Sequence, residues 1–528
     1  MEDRMFEQLN VLGQLIDNGK FEKAYVEAKE FLARVKSLSS NYSGYYTMLF
    51  NISGILIDIG SMQPNIDANN EGLEILESNE KEILDVIEAD LFYYNLSNAK
   101  TNLLPERNPF KQSFETIEKL VELKTYLWKS LKLSNQRVGT YSPETMVNLG
   151  NALKQQFRVS EALHCYDTVN ELNLDIPQAW INRSESLMLL NTISSSYSIQ
   201  MLIQVKKGYE NILQSPQIPP QWLPHYQELI ETHSEKINKI CSDENIKPDP
   251  DDEVKTQEEY DKFSNYRKFC LSNNLTLSEH SLYCKCIGSD RDNLTIPTTS
   301  GVVGDFIIPM EMILNRLKSE FSFSRRLYFE YLSHETPDEL QHESCFSELL
   351  NDEILGLDVE KLRTAFRLCF GILDKIGVGI CELFDLYPAN GQVYFQSFWQ
   401  LDRDGRRDKF EKIKTPGLLA LYSIATDLND RKFGELAFYK DWRNSLEHNF
   451  VVVHKHDVPS DLYNSYSFID DITFIKEADF IEHLEQLLQL TRSAIFSFVF
   501  MVREKGLTSK QDGFHYFNNK IYKQGCVT

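Results

Sequence analysis

No stretch of this sequence stays apolar long enough to cross a bilayer. The densest run, Ala494 to Val502, falls well short of the roughly 20 residues that a spanning helix needs, and Arg492 and Arg503 flank it, so no membrane role is expected. Positive charge is also scarce, with 55 lysines and arginines against 78 acidic residues and a formal net charge of −23. A surface that coats nucleic acid broadly is normally basic, so any RNA contact is expected to be local and confined to a cleft. Paired CxxC motifs are missing. The nine cysteines are scattered, several within apolar helical patterns, which points to reduced core thiols and a cytoplasmic chain. Cys270, His280, Cys284 and Cys286 stand near one another, as do His454 and His456, yet neither group has paired spacing or a complete ligand quartet, and no metal or cofactor is expected. Gly301 and Gly304 lack the lysine and hydroxyl residue of a P-loop, which argues against a nucleotide-driven motor. The opening Met1-Glu2-Asp3-Arg4 has neither the basic nor the apolar region of a secretion signal, in keeping with a cytoplasmic placement.

What is present is helical periodicity. At 528 residues the chain is too long for one core, and two or three domains are expected. Residues 1–240 read as helical hairpins: Leu149, Gly150 and Leu153 mark one helix, Ala162, Tyr166 and Val169 the next, and Leu12, Leu15, Gly19, Ala24 and Ala28 a looser pair. Small residues at such positions let paired helices pack closely, and this unit resembles a tetratricopeptide repeat. Residues 241–264 are acidic and carry two prolines, the expected linker. After a transitional region, 265–357, apolar residues again recur at three- and four-residue steps through 358–528. They form three faces: Leu362 to Leu383; Leu418, Leu419, Tyr422, Ala425 and Leu428; and Leu484, Leu487, Leu488, Ile495, Phe498 and Met501. The fold expected is mostly α, a helical solenoid followed by a helical bundle.

The chemistry-bearing segment is Asp441-Trp442-Arg443-Asn444-Ser445-Leu446-Glu447-His448. An arginine holds a phosphodiester through two parallel hydrogen bonds, and an imidazole titrating near neutrality can move the proton of a ribose 2′-hydroxyl. On a helix, Asp441, Asn444, Ser445 and His448 share a face and Arg443 and Glu447 another, with Arg443 and His448 about 140° apart. The β-branched run Val451-Val452-Val453 favours extended structure, which ends the motif helix soon after His448. A second pair, Arg158 and His164, meets the same loose spacing, but Val159 stands where a polar residue is wanted.

The order arginine, asparagine, four residues, histidine, within a C-terminal helical bundle, resembles the HEPN superfamily signature. The flanking Phe-Tyr-Lys-Asp-Trp is similar to a prokaryotic branch fused to tetratricopeptide-like repeats. That resemblance implies a metal-independent endoribonuclease of the kind found among regulated toxins and phage-defence effectors. In it Arg443 contacts the scissile phosphate, His448 serves as general base or acid, Asn444 orients one of them or the substrate, and the cleft is shared across a homodimer. Glu447, Asp374 and Lys375 are supporting candidates. Arg406, Arg407 and Lys409, in a locally basic stretch, are candidate RNA contacts. The expected partners are an RNA, tRNA or mRNA, and a protein or other trigger at the repeats. The alternative is a non-enzymatic scaffold or a nucleotide-binding dimerisation module, since one fold supports both uses.

Overall fold

A computed structural model of the protein describes residues 2–62, 65–104, 106, 108–172, 175–195, 198–243, 245, 252–297, 304–334, 337, 343–347, 352–432, 434–456 and 472–508. Gly301 lies outside them, as do 244 and 246–251 of the acidic stretch. In chain order the helices are α1 (Glu2–Asp17), α2 (Phe21–Lys36), α3 (Tyr45–Met62), α4 (Ile66–Ser78), α5 (Glu80–Leu84), α6 (Ala89–Asn102), α7 (Phe114–Val138), α8 (Pro143–Gln155), α9 (Val159–Glu171) and α10 (Pro177–Ile193). They continue as α11 (Ile199–Leu213), α12 (Leu223–Asp243), α13 (Asp252–Asp261), α14 (Asn265–Ser272), α15 (Ile307–Leu332), α16 (Leu357–Phe384), α17 (Arg406–Lys412), α18 (Pro416–Asp427), α19 (Phe438–His448) and α20 (Glu477–Thr508). The strands β1 (Phe450–His454) and β2 (Ile472–Lys476) pair in parallel, with Phe450 opposite Ile472. The mostly α character read from periodicity is therefore observed.

The chain divides into two units. Residues 1–156, 165–184 and 206–232 make the first, and 157–164, 185–205 and 233–528 the second. In the first, each helix packs chiefly on near neighbours in sequence, α1 on α2, α3 on α4 and α6 on α7, as stacked helical hairpins do. Ala24 and Ala28 are fully buried beside Phe31 and Leu56, so small residues set that spacing. Gly150 fits against the Tyr166 ring so closely that an added Cβ would lie 2.6 Å from it.

The second unit is organised around α20, against which α15, α16 and α18 all pack. The buried stripe of α16 is the expected one, Leu362, Phe366, Phe370, Leu373, Ile376 and Ile380. Helix α18 differs from its expected single face, because every residue from Gly417 to Asp427 is buried. A helix buried all round sits inside a core. It crosses α20 almost backbone to backbone, and a Cβ on Gly417 would meet the Ser497 carbonyl oxygen at 2.5 Å.

Helix α15 occupies the stretch that the sequence marks only as transitional. Its buried face includes Glu320, Ser324 and Arg325, which break the apolar pattern. Arg325 is held by Asp292 through two hydrogen bonds of 2.7 Å and donates to the Leu275 carbonyl at 2.6 Å. Arg492 of α20 donates to the Thr276 carbonyl at 2.9 Å and to Ser281 Oγ at 3.0 Å, and Arg503 to the Ile296 carbonyl at 3.0 Å. Three buried arginines thus fasten residues 275–297 to the bundle, as buried charges require partners.

Burial pushes the Glu504 carboxyl of α20 up to about 7. Because that lies above the unfolded-state value, its contribution to stability is complete below the ordinary carboxylate range and is lost as pH rises through 7. Glu504→Gln is expected to raise the thermal midpoint at pH 8 and leave it unchanged at pH 4. Equal shifts at both pH values in scanning calorimetry would trace the effect to packing.

Candidate active site

Helix α19 is amphipathic for a visible reason. Its inner face carries Phe438, Tyr439 and Trp442, which join Phe366 of α16 and Phe480 and His483 of α20 in one aromatic cluster, with ring centroids 4.7 to 6.2 Å apart. Tyr439 Oη donates to Gln486 Oε1 at 2.7 Å, satisfying the buried hydroxyl. Ser445, expected on the histidine's face, instead turns inward and accepts from Thr473 Oγ1 of β2 at 3.0 Å. The outer face presents Lys440, Arg443, Asn444, Glu447 and His448, and the helix ends at His448 as the valine run implies.

These five residues line a cleft of about 950 Å³. The opposite wall is the loop from Tyr394 to Arg403, and its floor comes from Tyr422, Ala425 and Thr426 of α18 with Leu428. Arg403, Arg431 and Lys432 stand at the cleft together with Asp402 and Asp430. Lys432 Nζ lies 3.1 Å from Asp402 Oδ1, so part of that positive charge is already matched.

Arg443 is braced from behind. Its Nη2 donates to Asp374 Oδ2 of α16 at 3.2 Å, and its guanidinium sits 5.6 Å from the centroid of the Phe370 ring. Asp374 Oδ1 also accepts the Phe395 N–H at 2.9 Å, so one carboxylate ties α16, the far wall and the arginine together. Burial raises the Asp374 carboxyl above its ordinary range, opposed by the Phe395 N–H and the Arg443 charge. Lys375 points elsewhere, to Glu320 Oε2 at 3.0 Å, where Arg316 also binds.

The three candidate RNA contacts part company. Arg406 donates to the carbonyls of Trp399, Leu386 and Phe398 at 2.6, 2.9 and 2.7 Å, holding the cleft wall in shape. Arg407 lies 4.0 Å from Asp402, and Lys409 is exposed on α17; neither lines the cleft. Lys440, Arg431 and Lys432 were not among the candidates. For Lys440 the signal was available, since it lies one turn before Arg443 on the same helix. The look-alike pair separates as well: Arg158 is buried between Glu161 and Asp427, and His164 Nδ1 lies 2.9 Å from Asn274 Nδ2.

Compared with known protein families, residues 304–505 match the family described as LA2681-like HEPN. This chain carries a HEPN domain. No curated protein matches the chain. The matched segment starts just ahead of α15, so the HEPN domain includes that helix as well as α16, α18, α19 and most of α20. The cleft lined by Arg443, Asn444 and His448 lies within that segment, and a HEPN domain is in keeping with an RNA-related activity. No helix among the described residues is long and apolar enough to cross a membrane.

Proposed function

We propose that the chain is a metal-independent endoribonuclease whose HEPN domain is governed by a trigger bound at the repeats, as in a toxin or phage-defence effector. The observation that carries this reading is the arrival of Arg443, Asn444 and His448 on one cleft wall, with Arg443 braced and His448 open to solvent. In the reaction, the ribose 2′-oxygen forms a bond to the adjacent phosphorus while the bond to the 5′-oxygen breaks. His448 takes the 2′-hydroxyl proton or returns one to the departing 5′-oxygen, Arg443 stabilises the charge on the phosphoryl oxygens, and Asn444 orients the phosphate or the imidazole. Two such domains in a homodimer place two cleft walls around one RNA strand.

The repeats support the role of a sensing arm. A cleft of about 380 Å³ in the first unit is lined by Asp58, Lys154 and the side chains of Asn98, Asn102, Asn148, Asn151 and Asn182, whose amides both donate and accept hydrogen bonds. The rival reading, a non-enzymatic scaffold or nucleotide-binding dimerisation module, draws on the Arg443–Asp374 pair, which gives the arginine a structural use.

Product chemistry separates the two. Purified protein incubated with tRNA and mRNA, without added magnesium, is expected to leave 2′,3′-cyclic phosphate and 5′-hydroxyl ends. Ends bearing 3′-hydroxyls would reject this mechanism. Asp374→Asn keeps an acceptor for the Phe395 N–H but removes the charge behind Arg443. It is expected to lower the cleavage rate roughly tenfold, about 1.4 kcal/mol of barrier. An unchanged rate would reduce Asp374 to a packing role.

A further inference from the structure

The second unit also gathers His280, Cys284 and Cys286, with one ligand atom of each within 4.8 Å of the other two. We propose that these three side chains bind one soft divalent cation of the zinc class, with solvent in the fourth coordination position. The local backbone builds the grouping. The N–H groups of Tyr283 and Cys284 donate to the His280 carbonyl at 3.2 and 3.0 Å, a helical turn that brings His280 and Cys284 to one side. Ser289 N–H then donates to the Cys286 carbonyl at 2.9 Å and turns the chain back, while the Ile287 N–H is pinned at 2.7 Å by Glu259 Oε2.

The donor set identifies the ion. Two thiolates and an imidazole suit zinc over the hard cations, which prefer oxygen. A tetrahedral site with bonds near 2.3 Å separates its sulfur ligands by about 3.8 Å, so closure needs only side-chain adjustment of about an ångström. Tyr283 Oη lies 3.1 Å from His280 Nδ1 and its ring meets the imidazole edge-on, an outer-sphere partner that leaves Nε2 for the ion. The three residues lie in the 275–297 segment that Arg325, Arg492 and Arg503 fasten to the bundle, and none of them lines the cleft. The cation therefore cross-links that segment and takes no part in RNA chemistry. In sequence the pattern is histidine, three residues, cysteine, one residue, cysteine, which lacks the CxxC that usually announces such a site.

The test is cobalt(II) titration of the reduced full-length protein. The expected result is one equivalent bound per chain, with ligand-field bands of a tetrahedral site and thiolate-to-cobalt charge transfer, both bleached by added zinc. Replacing Cys284 and Cys286 together by serine is expected to lower the affinity at least about tenfold. Cys345→Ser, at an exposed thiol, should leave it unchanged. His280→Gln, which keeps both thiols, provides a second variant if the double one fails to fold, and should weaken cobalt to a similar degree. Reduced wild-type protein without the charge-transfer band, bands that survive these substitutions, or a Cys284–Cys286 disulfide persisting in reductant would each overturn the assignment.

Discussion

His448→Ala is expected to abolish RNA cleavage to within measurement, a loss of roughly 10² to 10⁴ in rate, with no change in the thermal midpoint. The two halves of that expectation have separate causes. In the proposed reaction the imidazole, which lines the cleft, moves the 2′-hydroxyl proton, so its removal takes away the transfer itself. It is also exposed at the last position of α19, where truncation disturbs little packing. Arg443→Ala should cost a comparable factor in rate but differ in stability, because it strips Asp374 of the charge that opposes its burial. Arg443→Lys keeps the charge and loses the planar fork, and should recover only a small part of the rate. Glu447→Gln, on the same wall, distinguishes a general loss of cleft charge from loss of the named groups. The decisive measurement is single-turnover cleavage with melting curves on the same preparations. Parallel loss of activity and midpoint in His448→Ala would mean that the histidine serves the fold.

Arg158→Ala is expected to be the most destabilising single change in the second unit. The guanidinium is buried, donates to Glu161 Oε1 at 2.8 Å and pairs with Asp427, whose side chain is wholly inaccessible. Removing one partner of a buried pair leaves the other charge uncompensated, at a cost of about 3–5 kcal/mol. Arg158→Met combined with Asp427→Leu removes the arginine and its wholly inaccessible partner, leaving only the partly exposed Glu161 charged, and should recover part of that loss, since an apolar pair of similar volume avoids the desolvation cost. Urea denaturation followed through both signals of the two-unit chain is the appropriate measurement, read from the transition that the variant shifts. A double variant as unstable as Arg158→Ala would show that shape rather than charge governs the site. Thr426 and Leu428 flank Asp427 and line the cleft, so the single variant should lower cleavage as well.

How much of this was legible follows from where each residue's partners lie. Helices α16, α18 and α20 announce themselves because their partners' demand, an apolar surface, is written at three- and four-residue steps. Helix α15 does not, because Arg325 is buried only by virtue of Asp292, which no local pattern links to it. The motif wall of the cleft was readable for the same local reason: Arg443, Asn444, Glu447 and His448 stand on one short helix. The facing wall, Tyr394 to Arg403, has no periodicity. Arg406 shows the converse difficulty, since its charge is visible in sequence while the three carbonyls that consume its hydrogen bonds are not. Ser445 was grouped with His448 by helical angle alone, yet the strand hydroxyl of Thr473 draws it inward.

The join between α19 and β1 gives the histidine an unusual mooring. His448 ends the helix, Asn449 is extended, and Phe450 opens a strand whose parallel partner β2 runs at Lys476 straight into Glu477 of the long helix α20. The His448 imidazole thus hangs on a ruler whose graduations are strand residues, about 3.3 Å apart, and whose far end is the spine of the bundle. Slipping that pairing by one step would carry the imidazole along the cleft by the length of a hydrogen bond and turn buried Val453 outward. Intermediate settings are therefore absent: the join behaves as a detent, holding the histidine at one fixed place along the cleft.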